Sequence, residues 1–353
     1  MISFRLERFG ANLIEQHEKT PIPKGHEVLL AVGSCGVCHS DVHLADGYFD
    51  LGNGQRVELA ASIAPPRTLG HEIAGTVAAI GSDVVGVAVG DRRIVYPWIG
   101  CGRCALCATG DEHLCARPRA IGVNVDGGFA DHVVVPDARY LFAYTPLSEE
   151  QACTYACSGL TAYSALKKVS AAFVGPGGVE RLLIIGAGGV GLSGIRMAAW
   201  LGLPPPIVAE VDRTKWDLAL EAGAAEVIDP RADGAARTLT KATGGGVAAA
   251  IDFVGAGETF AFGIGALKKA GTLVSVGLFG GATTISPALL ALKSLHVIGS
   301  YVGSPAEMGT MMSLARKAAL PELPLNPIPL GAANATLAAL KEGHVRGRTI
   351  LKP

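Results

Sequence analysis

The pattern of apolar and polar residues changes character near the middle of the chain. Before about residue 155, short apolar stretches are separated by glycine and proline, as at 26–32, 73–80, 92–96 and 132–135. Stretches of this length between turn residues are typical of β-strands in a compact sheet structure. We therefore predict that the first part of the chain is a β-rich domain.

After about residue 160, strand-like and helix-like segments alternate. Helices are predicted at 160–168, 189–201 and 213–221, and apolar strands at 181–185, 207–211, 226–228, 248–253, 272–276 and 296–299. Such alternation is typical of a doubly wound parallel sheet in an α/β fold. One further strand-like segment, 348–352, ends the chain and is expected to return to the first domain.

Length and composition agree with a two-domain α/β organisation. The chain has 353 residues, of which 49% are hydrophobic and only 17% charged, enough for two separate cores. We place the β-rich domain at 1–158, the parallel-sheet domain at 159–300 and a return to the β-rich domain at 301–353.

Charge and targeting features exclude several classes of protein. The net charge is −1, so no basic surface points to nucleic acid or to an anionic membrane. No apolar run reaches the roughly 18 residues that span a membrane, and the N-terminus lacks the apolar core of a signal peptide. Eight cysteines without a secretion signal indicate a reducing compartment, so we expect a cytoplasmic protein.

The strongest chemical signal is a group of four closely spaced cysteines. The segment 98–116, which we call the four-cysteine lobe, contains Cys101, Cys104, Cys107 and Cys115. It is rich in turn formers and lacks a sustained helical or strand periodicity. Four thiolates can surround one Zn²⁺ at about 2.3 Å. Because four cysteines leave no open position, this zinc is expected to be structural and to fold the lobe.

Disulfides and an iron–sulfur cluster fit the four cysteines less well than zinc does. Two disulfides would suit a secreted protein, but nothing else in the chain indicates secretion. An iron–sulfur cluster of the bacterial type would need a short third spacing followed by proline. Here the third spacing is long, and Ala116 follows Cys115.

A glycine-rich motif fits the dinucleotide-binding pattern G-x-G-x-x-G. This glycine loop comprises Gly186, Ala187, Gly188, Gly189, Val190 and Gly191. It follows an apolar strand and opens a predicted helix, which is the context that the pattern requires. Gly186 permits the tight turn, Gly188 the approach of a pyrophosphate, and Gly191 close packing of helix and strand. The helix N-terminus offers free N–H groups to the phosphates.

The next predicted strand ends in an acidic residue that bears on the choice of cofactor. Glu210 lies about 20 residues after the glycine loop, where a carboxylate binds the ribose hydroxyls of NAD and repels a 2′-phosphate. Asp212 is the nearest alternative. Arg213 is a counterweight, because an arginine can accommodate the phosphate. We expect NAD as the cofactor.

Cys38, His71 and Cys157 are the remaining candidates for a second metal site. Two thiolates and one imidazole would leave the fourth position of a tetrahedral zinc open to water or substrate, as in a catalytic site. The three residues are far apart in sequence, and each alone would more often be a core or surface residue. Their spacing therefore does not establish the site.

Taken together, the motifs resemble the zinc-dependent medium-chain alcohol dehydrogenase family. The resemblance runs nearly end to end and is carried by Cys38-His39-Ser40-Asp41, Gly70-His71-Glu72, the four-cysteine lobe, 126–130, 157–163, the glycine loop and 347–351. It implies a GroES-like catalytic domain, a Rossmann domain, and a catalytic zinc held by Cys38, His71 and Cys157. With the structural site, that makes two zinc ions per subunit.

The resemblance also implies roles around the two cofactors. Asp41 would orient His71, and Glu72 would lie behind the metal as a transient ligand. Ser40 and His43 match a proton relay that leads from the alcohol through the nicotinamide ribose to solvent. Further cofactor contacts implied by the match are His39, Thr161, Val276, Leu278 and Arg348.

The sequence alone leaves the roles of several residues undecided. Cys35 forms a C-x2-C pair with Cys38 that could suggest redox chemistry. Cys153 is a rival of Cys157 as a ligand, although the Ser-Gly-Leu-Thr after Cys157 favours Cys157. Candidate walls of the substrate pocket are Tyr48, Trp98 and Phe129, with ordinary core packing as the alternative.

One segment departs from the family pattern. Residues 47–70 are longer than the usual link between the relay histidine and the Gly-His-Glu motif. We expect them near the mouth of the active-site cleft, so the substrate preferences of the family transfer poorly.

The expected function is the reversible oxidation of a hydrophobic primary or secondary alcohol to an aldehyde or ketone by hydride transfer to NAD. A related zinc dehydrogenase acting on a cyclic hydroxyacyl thioester or a polyol is the alternative, although polyol enzymes tend to have glutamate where Cys157 stands. Cys38 and His71 disfavour a zinc-free quinone reductase. Ser40 and His43 disfavour a non-catalytic structural protein.

The sequence also suggests how the chain assembles. The segment 299–303 resembles that of tetrameric bacterial relatives, and the apolar content is high. We expect a homotetramer, with a dimer as the alternative, and a small-molecule substrate as the only other partner.

Overall fold

A computed structural model of the chain describes residues 1–173, 180–318, 320 and 323–353. The strands are β1 (Ile2–Leu6), β2 (Ile14–His17), β3 (Val28–Gly36), β4 (Tyr48–Gly52), β5 (Gln55–Glu58), β6 (Arg67–Thr68), β7 (Glu72–Ile80), β8 (Arg92–Val95), β9 (His132–Val135), β10 (Leu141–Ala143), β11 (Leu182–Ile185), β12 (Ile207–Ala209), β13 (Glu226–Ile228), β14 (Val247–Asp252), β15 (Leu267–Ser275), β16 (His296–Gly299), β17 (Leu325–Pro329) and β18 (Arg348–Lys352).

The helices are α1 (His39–Asp46), α2 (Ala105–Ala108), α3 (Glu149–Thr154), α4 (Leu160–Val169), α5 (Gly189–Met197), α6 (Trp216–Glu221), α7 (Ala235–Ala242), α8 (Gly257–Ala266), α9 (Pro287–Lys293), α10 (Pro305–Lys317) and α11 (Ala333–Lys341). A π-helical turn, Tyr155–Gly159, joins α3 to α4. Short 3₁₀ turns extend several ends. One of them, Ala198–Leu201, continues α5, and another, Arg213–Lys215, precedes α6.

A largely antiparallel sheet organises the first part of the chain. Its strand order is β10-β8-β7-β3-β18-β17, and β9 also pairs with β3. The central strand β3 is buried along most of its length, as expected for a strand with neighbours on both sides. The C-terminal strand β18 pairs antiparallel with β3, so the end of the chain completes this sheet. The structure therefore shows the predicted β-rich, GroES-like domain.

The second sheet is parallel throughout and has the order β13-β12-β11-β14-β15-β16. Side chains alternate between its faces: Leu182 and Ile184 join the main core, whereas Leu183 and Ile185 join a second cluster on the opposite face. β12 and β14 lie on either side of β11, so the chain order reverses there. Ligands of such sheets bind beyond the carboxyl ends of the strands at this point. This is the predicted doubly wound Rossmann fold. The boundaries at 158 and 300 stay a prediction.

Within residues 47–70, for which the sequence suggested no element, β4 and β5 form a β-hairpin. Its turn is Asn53-Gly54, and both residues have positive φ angles, 52° and 74°. Asn-Gly is the pair that type I′ hairpin turns favour, because both central residues need positive φ. The hairpin therefore has a clear local cause.

Within the described residues, no helix combines the length and the apolar character needed to cross a membrane.

Candidate active site

A deep cleft of about 640 Å³ lies between the two sheets. Its walls combine α1, the hairpin and the π-helical turn with the glycine loop and the carboxyl ends of β12, β15 and β16. Both sequence-predicted cofactor sites open into this one cleft. Any chemistry there takes place between the two domains.

Cys38, His71 and Cys157 come together at the bottom of the cleft. Their ligand atoms all lie within 4.8 Å of one another, and the three side chains are buried. The Cys38 and Cys157 sulfur atoms are 4.0 Å apart. Two thiolates at about 2.3 Å from a tetrahedral zinc would be about 3.8 Å apart, so the spacing fits this metal closely.

The donor chemistry of this cluster also fits a metal. Among the described residues, both ring nitrogens of His71 are buried without a hydrogen bond of good geometry, and Asp41 lies beside Nδ1, which leaves Nε2 for a metal. Contact with the Cys157 thiol lowers the pKa of Cys38 well below the ordinary value for cysteine. A thiolate and an unpartnered imidazole nitrogen are the forms in which these residues bind zinc.

Asp41 ties two of the three candidate ligands together. Its Oδ2 accepts a hydrogen bond from the Cys38 backbone N–H at 2.9 Å, and its Oδ1 accepts one from the Gly70 N–H at 3.3 Å. The same Oδ1 lies 3.2 Å from His71 Nδ1. Asp41 is fully buried and faces the far side of the imidazole, as a residue that orients a metal ligand would.

The π-helical turn explains how Cys157 reaches the cluster. Such a turn widens the helix by one residue and interrupts its regular hydrogen bonds. The Trp98 indole N–H donates to the Ala156 carbonyl at 3.1 Å and so satisfies an acceptor within the turn. The Trp98 ring centroid also lies 5.3 Å from that of His71. Trp98 therefore supports two candidate ligands and lines the cleft.

Glu72 lies behind the cluster and is paired with Arg348. The Arg348 guanidinium donates to Glu72 Oε2, and the Ser158 N–H donates to Oε1 at 3.1 Å. Both charged side chains are almost completely buried. Burial, only partly offset by Arg348, raises the pKa of Glu72 to about 7. Arg348 thus contacts the metal side of the cleft as well as the phosphate side that the sequence suggested, where it packs against Gly189.

Above pH 7, where Glu72 is ionised, replacing Arg348 by methionine is expected to lower the free energy of unfolding by about 3 kcal/mol, because the buried carboxylate loses the guanidinium that pairs with it. Denaturant unfolding of the metal-loaded proteins measures this. The double variant with Glu72→Gln should recover part of the loss, because no unpaired charge remains. Equal stabilities of the wild type and the single variant would contradict the expectation.

Cys101, Cys104, Cys107 and Cys115 form the second cluster, again with ligand atoms within 4.8 Å of one another. Cys104 Sγ lies 3.4 Å from Cys107 Sγ and 3.8 Å from Cys115 Sγ. Backbone N–H groups stabilise negative charge on the sulfur atoms: the Arg117 N–H donates to Cys115 Sγ at 3.3 Å. Four thiols in this arrangement suit a closed tetrahedral zinc site.

The lobe that carries these cysteines is attached to the β-rich domain through Glu112. Its carboxylate accepts hydrogen bonds from the Tyr140 hydroxyl at 2.6 Å and from the Gly100 N–H at 3.3 Å. Arg139 adds an ion pair at 3.2 Å. The lobe itself contains only the short helix α2 and one 3₁₀ turn, Glu112–Leu114.

The glycine loop has the geometry of a phosphate site. Gly186 has a φ of +93°, and a Cβ on Gly191 would lie 1.9 Å from the Gly186 carbonyl oxygen, so neither position accepts another residue without strain. A Cβ on Gly188 would meet no atom within 4 Å. Gly188 is the N-cap of α5 and faces the open cleft, where a pyrophosphate can approach the helix N-terminus.

Glu210 lies beside this loop, where the sequence placed it. Its Oε2 accepts a hydrogen bond from the Ala187 N–H at 2.7 Å, and its Oε1 one from the Asp212 N–H at 2.8 Å. Arg213 lies outside the cleft lining, because its guanidinium stacks on Trp216, 5.2 Å from the ring centroid. A residue that sequence reasoning missed, Lys215, does line the cleft.

The other predicted cofactor and relay residues also line the cleft. They are His39, Ser40, His43, Thr161, Gly189, Val190, Val276, Leu278 and Arg348. Ser40 and His43 are three residues apart on α1 and therefore share a helix face.

The structure places one of the three predicted pocket aromatics in the cleft and the other two outside its lining. Trp98 lines the cleft, but Phe129 is fully buried in the core beneath Gly70, whose positive φ brings its backbone onto the Phe129 ring. Tyr48 lies outside the lining, because its ring packs on Arg56 at 4.0 Å across the hairpin. Strand alternation turns its neighbour Phe49 into the cleft instead. The further apolar walls that sequence reasoning missed are Phe49, Leu59, Ile63, Val123, Tyr301 and Val302.

Cys35 and Cys153 stay outside both cysteine clusters. Both are buried, and burial raises the pKa of each thiol well above its ordinary value. The Cys153 thiol donates to the Glu150 carbonyl oxygen at 3.2 Å within its own helix. Neither residue has the features of a reactive or metal-binding thiolate.

Comparisons with known proteins agree with this architecture. The model of the alcohol dehydrogenase GroES-like domain matches residues 24–146, and that of zinc-binding dehydrogenases matches residues 189–317. An NAD-dependent alcohol dehydrogenase of Sulfurisphaera tokodaii is 36% identical over 355 residues, covering 100% of both chains. The chain therefore belongs to the zinc-dependent medium-chain alcohol dehydrogenase family.

Solved structures show the same similarity. The alcohol dehydrogenase of the hyperthermophilic archaeon Aeropyrum pernix superposes with a TM-score of 0.89 at 28% identity, covering 100% of each chain. A cobalt- and zinc-bound thermostable alcohol dehydrogenase of Pyrobaculum aerophilum gives a TM-score of 0.85 at 27% identity, covering 100% of this chain and 99% of the other.

Proposed function

We propose that this protein is a zinc- and NAD-dependent alcohol dehydrogenase that reversibly oxidises hydrophobic primary or secondary alcohols to aldehydes or ketones. The reaction class follows from membership of the family and from full-length relatives of that name. One observation carries the proposal: an open Cys-His-Cys cluster lies in the same cleft as a glycine loop with a carboxylate beside it.

Different residues of the cleft would bind the two cofactors of such a reaction. Cys38, His71 and Cys157 would hold the catalytic zinc, and the glycine loop with Glu210 would hold NAD. Bound zinc supplies a Lewis acid for the substrate oxygen, and NAD supplies the hydride acceptor. The apolar walls exclude water and favour a hydrophobic alcohol over a polyol.

Ser40 and His43 would move the proton. Both line the cleft on one face of α1. Burial lowers the pKa of His43 below the ordinary value of histidine, so the ring is neutral and able to accept a proton near neutral pH. His39 and Arg348 would contact the cofactor phosphates, and Thr161, Val276 and Leu278 the nicotinamide end.

A hydride-transfer assay with NAD and a panel of alcohols tests the function. We expect turnover of apolar alcohols in preference to polyols, followed as NADH absorbance. Activity with polyols or with hydroxyacyl thioesters alone would favour the alternative substrates. The lack of hydride transfer with every member of the panel would contradict the proposal.

We further propose a zinc count, a cellular location and an oligomeric state for this protein. Two separate ligand sets support two zinc ions per subunit, one catalytic and one structural. We also propose a cytoplasmic location, because cysteines that bind metal need reducing conditions. The proposed assembly is a homotetramer. Light scattering at micromolar concentration should give a tetramer mass. A dimer would correct the stoichiometry, and a monomer would contradict self-association.

The preference for NAD over NADP is expected to be at least about tenfold in kcat/KM. A 2′-phosphate beside Glu210 would meet like charge, and two unit charges about 4 Å apart repel by about 4 kcal/mol at an effective dielectric constant of about 20. Of this, about 1.4 kcal/mol is sufficient for tenfold discrimination. Lys215 lines the same region and softens the preference, although Asp212 pairs with it at 3.4 Å.

Kinetics with both cofactors check this expectation. Glu210→Ala should reduce the ratio of kcat/KM for NAD to that for NADP. Glu221→Ala, at an exposed glutamate outside the cleft, should leave this ratio unchanged. Equal use of NAD and NADP by the wild type would show that the cationic side chains dominate.

A further inference from the structure

Four rings lie side by side at the mouth of the cleft. His39 and His43 are one helical turn apart on α1, with ring centroids 5.3 Å apart. Phe49 of the hairpin packs on His43 at 5.1 Å, and Phe279 of the Rossmann domain packs on His39 at 5.0 Å. The two histidines are thus enclosed between phenylalanines that come from different domains.

The two ends of this row meet in a close backbone contact. A Cβ on Gly52, in the hairpin, would lie 2.3 Å from the Ala282 backbone nitrogen. A Cβ on Gly280 would lie 2.7 Å from the Asp50 carbonyl oxygen. Glycine at both positions lets the hairpin backbone rest directly on the segment 277–282, which we call the platform loop.

The platform loop is itself fixed to the Rossmann sheet. The Phe279 N–H donates to the Val254 carbonyl at 3.1 Å, and the Gly280 N–H to the Gly255 carbonyl at 3.0 Å. Both acceptors lie within three residues of the end of β14. On the other side, the Asp50 carboxylate accepts from the Gly52 N–H at 2.7 Å and shapes the hairpin. The hairpin therefore docks on a loop of the other domain that backbone hydrogen bonds hold in place.

We propose that Phe49 is a positioning residue for His43, and that docking of the hairpin on the platform loop holds Phe49 in place. The position of His43, the proton acceptor of the relay, would then depend on the contact between the two domains. This inference rests on the proposed function for its catalytic meaning, but the positioning itself is a property of the chain.

The physical effect of Phe49, whose ring is tilted against that of His43, is to keep water from one side of the His43 ring. Burial is the largest cause that lowers the pKa of His43, followed by the neighbouring His39. The other charged groups that face it are Cys38 and Asp46, which raise the pKa, and Lys341 of α11, which lowers it. Removing Phe49 or displacing the hairpin would hydrate the ring and raise its pKa towards the ordinary value. The neutral acceptor would then be present only at higher pH.

Two variants and a matched control separate docking from general strain. Phe49→Leu removes the ring, and Gly52→Ala places a methyl group against the platform loop. Gly54→Ala lies in the same hairpin at a similar positive φ, +74° against +80°, but its Cβ would meet no atom within 4 Å. It therefore carries the backbone strain of Gly52→Ala without the clash.

Histidine carbon-13 NMR of the zinc-loaded, full-length protein without NAD gives a readout that is independent of turnover. His43 is assigned by the loss of its signal in His43→Gln. We expect its titration to move to higher pH in Phe49→Leu and in Gly52→Ala and to stay unchanged in Gly54→Ala. An unchanged titration in both test variants would overturn the proposal.

Kinetics provide the second readout. In Phe49→Leu and Gly52→Ala, the acid limb of kcat/KM for alcohol oxidation should move to higher pH, with a loss of about tenfold at neutral pH. In a His43→Gln background, Phe49→Leu should add nothing. An equal loss in both backgrounds would show that Phe49 acts on the substrate pocket and would overturn the positioning role. If the wild type oxidises no alcohol, the proposed function fails, and the NMR result still decides the positioning.

Discussion

Replacing Cys38 by alanine is expected to remove one zinc ion per chain and to lower kcat by at least about 10³-fold, since a catalytic metal supplies several kcal/mol of charge stabilisation. The fold should survive. Asp41 accepts a hydrogen bond from the backbone N–H of Cys38 and not from its sulfur, so this hydrogen bond remains when the thiol is removed. Elemental analysis and the alcohol assay measure both effects.

Cys153→Ala is the matched control for this experiment. Cys153 is also a buried thiol and lies four residues before Cys157, but it is outside the Cys-His-Cys cluster. It should keep both metal ions and its turnover, whereas Cys157→Ala should behave like Cys38→Ala. Loss of zinc and activity in Cys153→Ala, with Cys157→Ala unaffected, would reverse the ligand assignment. Full activity of Cys38→Ala would exclude the proposed catalytic site.

Replacing Cys104 by serine is expected to affect folding more than chemistry. Metal binding at structural zinc sites contributes about 10–16 kcal/mol in small zinc-binding peptides, and the loss of one thiolate removes much of it. The four-cysteine lobe cannot replace this energy, because its only buried apolar side chains besides cysteine are Trp98 and Ile99. We expect a large fall in the melting temperature, one zinc ion per chain, and poor soluble expression.

Arg103→Ala is the control for the lobe, because Arg103 is exposed and lies between two of the cysteines without belonging to the cluster. It should keep two zinc ions and the wild-type melting temperature. Chelation of zinc should destabilise the wild type at least as much as the substitution does. A Cys104→Ser protein with two zinc ions and unchanged stability would contradict a structural metal in the lobe.

Strong local signals predicted much of the fold. The strands at 226–228, 296–299 and 348–352 have the bounds that the sequence suggested, because short apolar runs between turn residues define them. Ends were less accurate. β12 stops at Ala209, two residues early, because the Glu210 carboxylate accepts the Asp212 N–H and turns the chain. The hairpin was missed although Asn53-Gly54, the signal for its turn, was visible.

The sequence by itself determined the chemistry available to this protein. The spacing of the four cysteines, the glycine loop and Glu210 are local features whose geometry depends on neighbouring residues, so they can be recognised without a structure. The same holds for the division into a β-rich and a doubly wound part, since hydrophobic periodicity is a property of short segments.

Only the tertiary structure decided which distant residues meet. A π-helical turn brings Cys157 to Cys38 and His71 and leaves Cys153 in the core. Packing of whole sheets determined that Arg348 pairs with Glu72 and that Phe49, rather than Phe129, faces the cleft. These distances depend on how elements far apart in the chain pack together, and no periodicity or motif spacing encodes that.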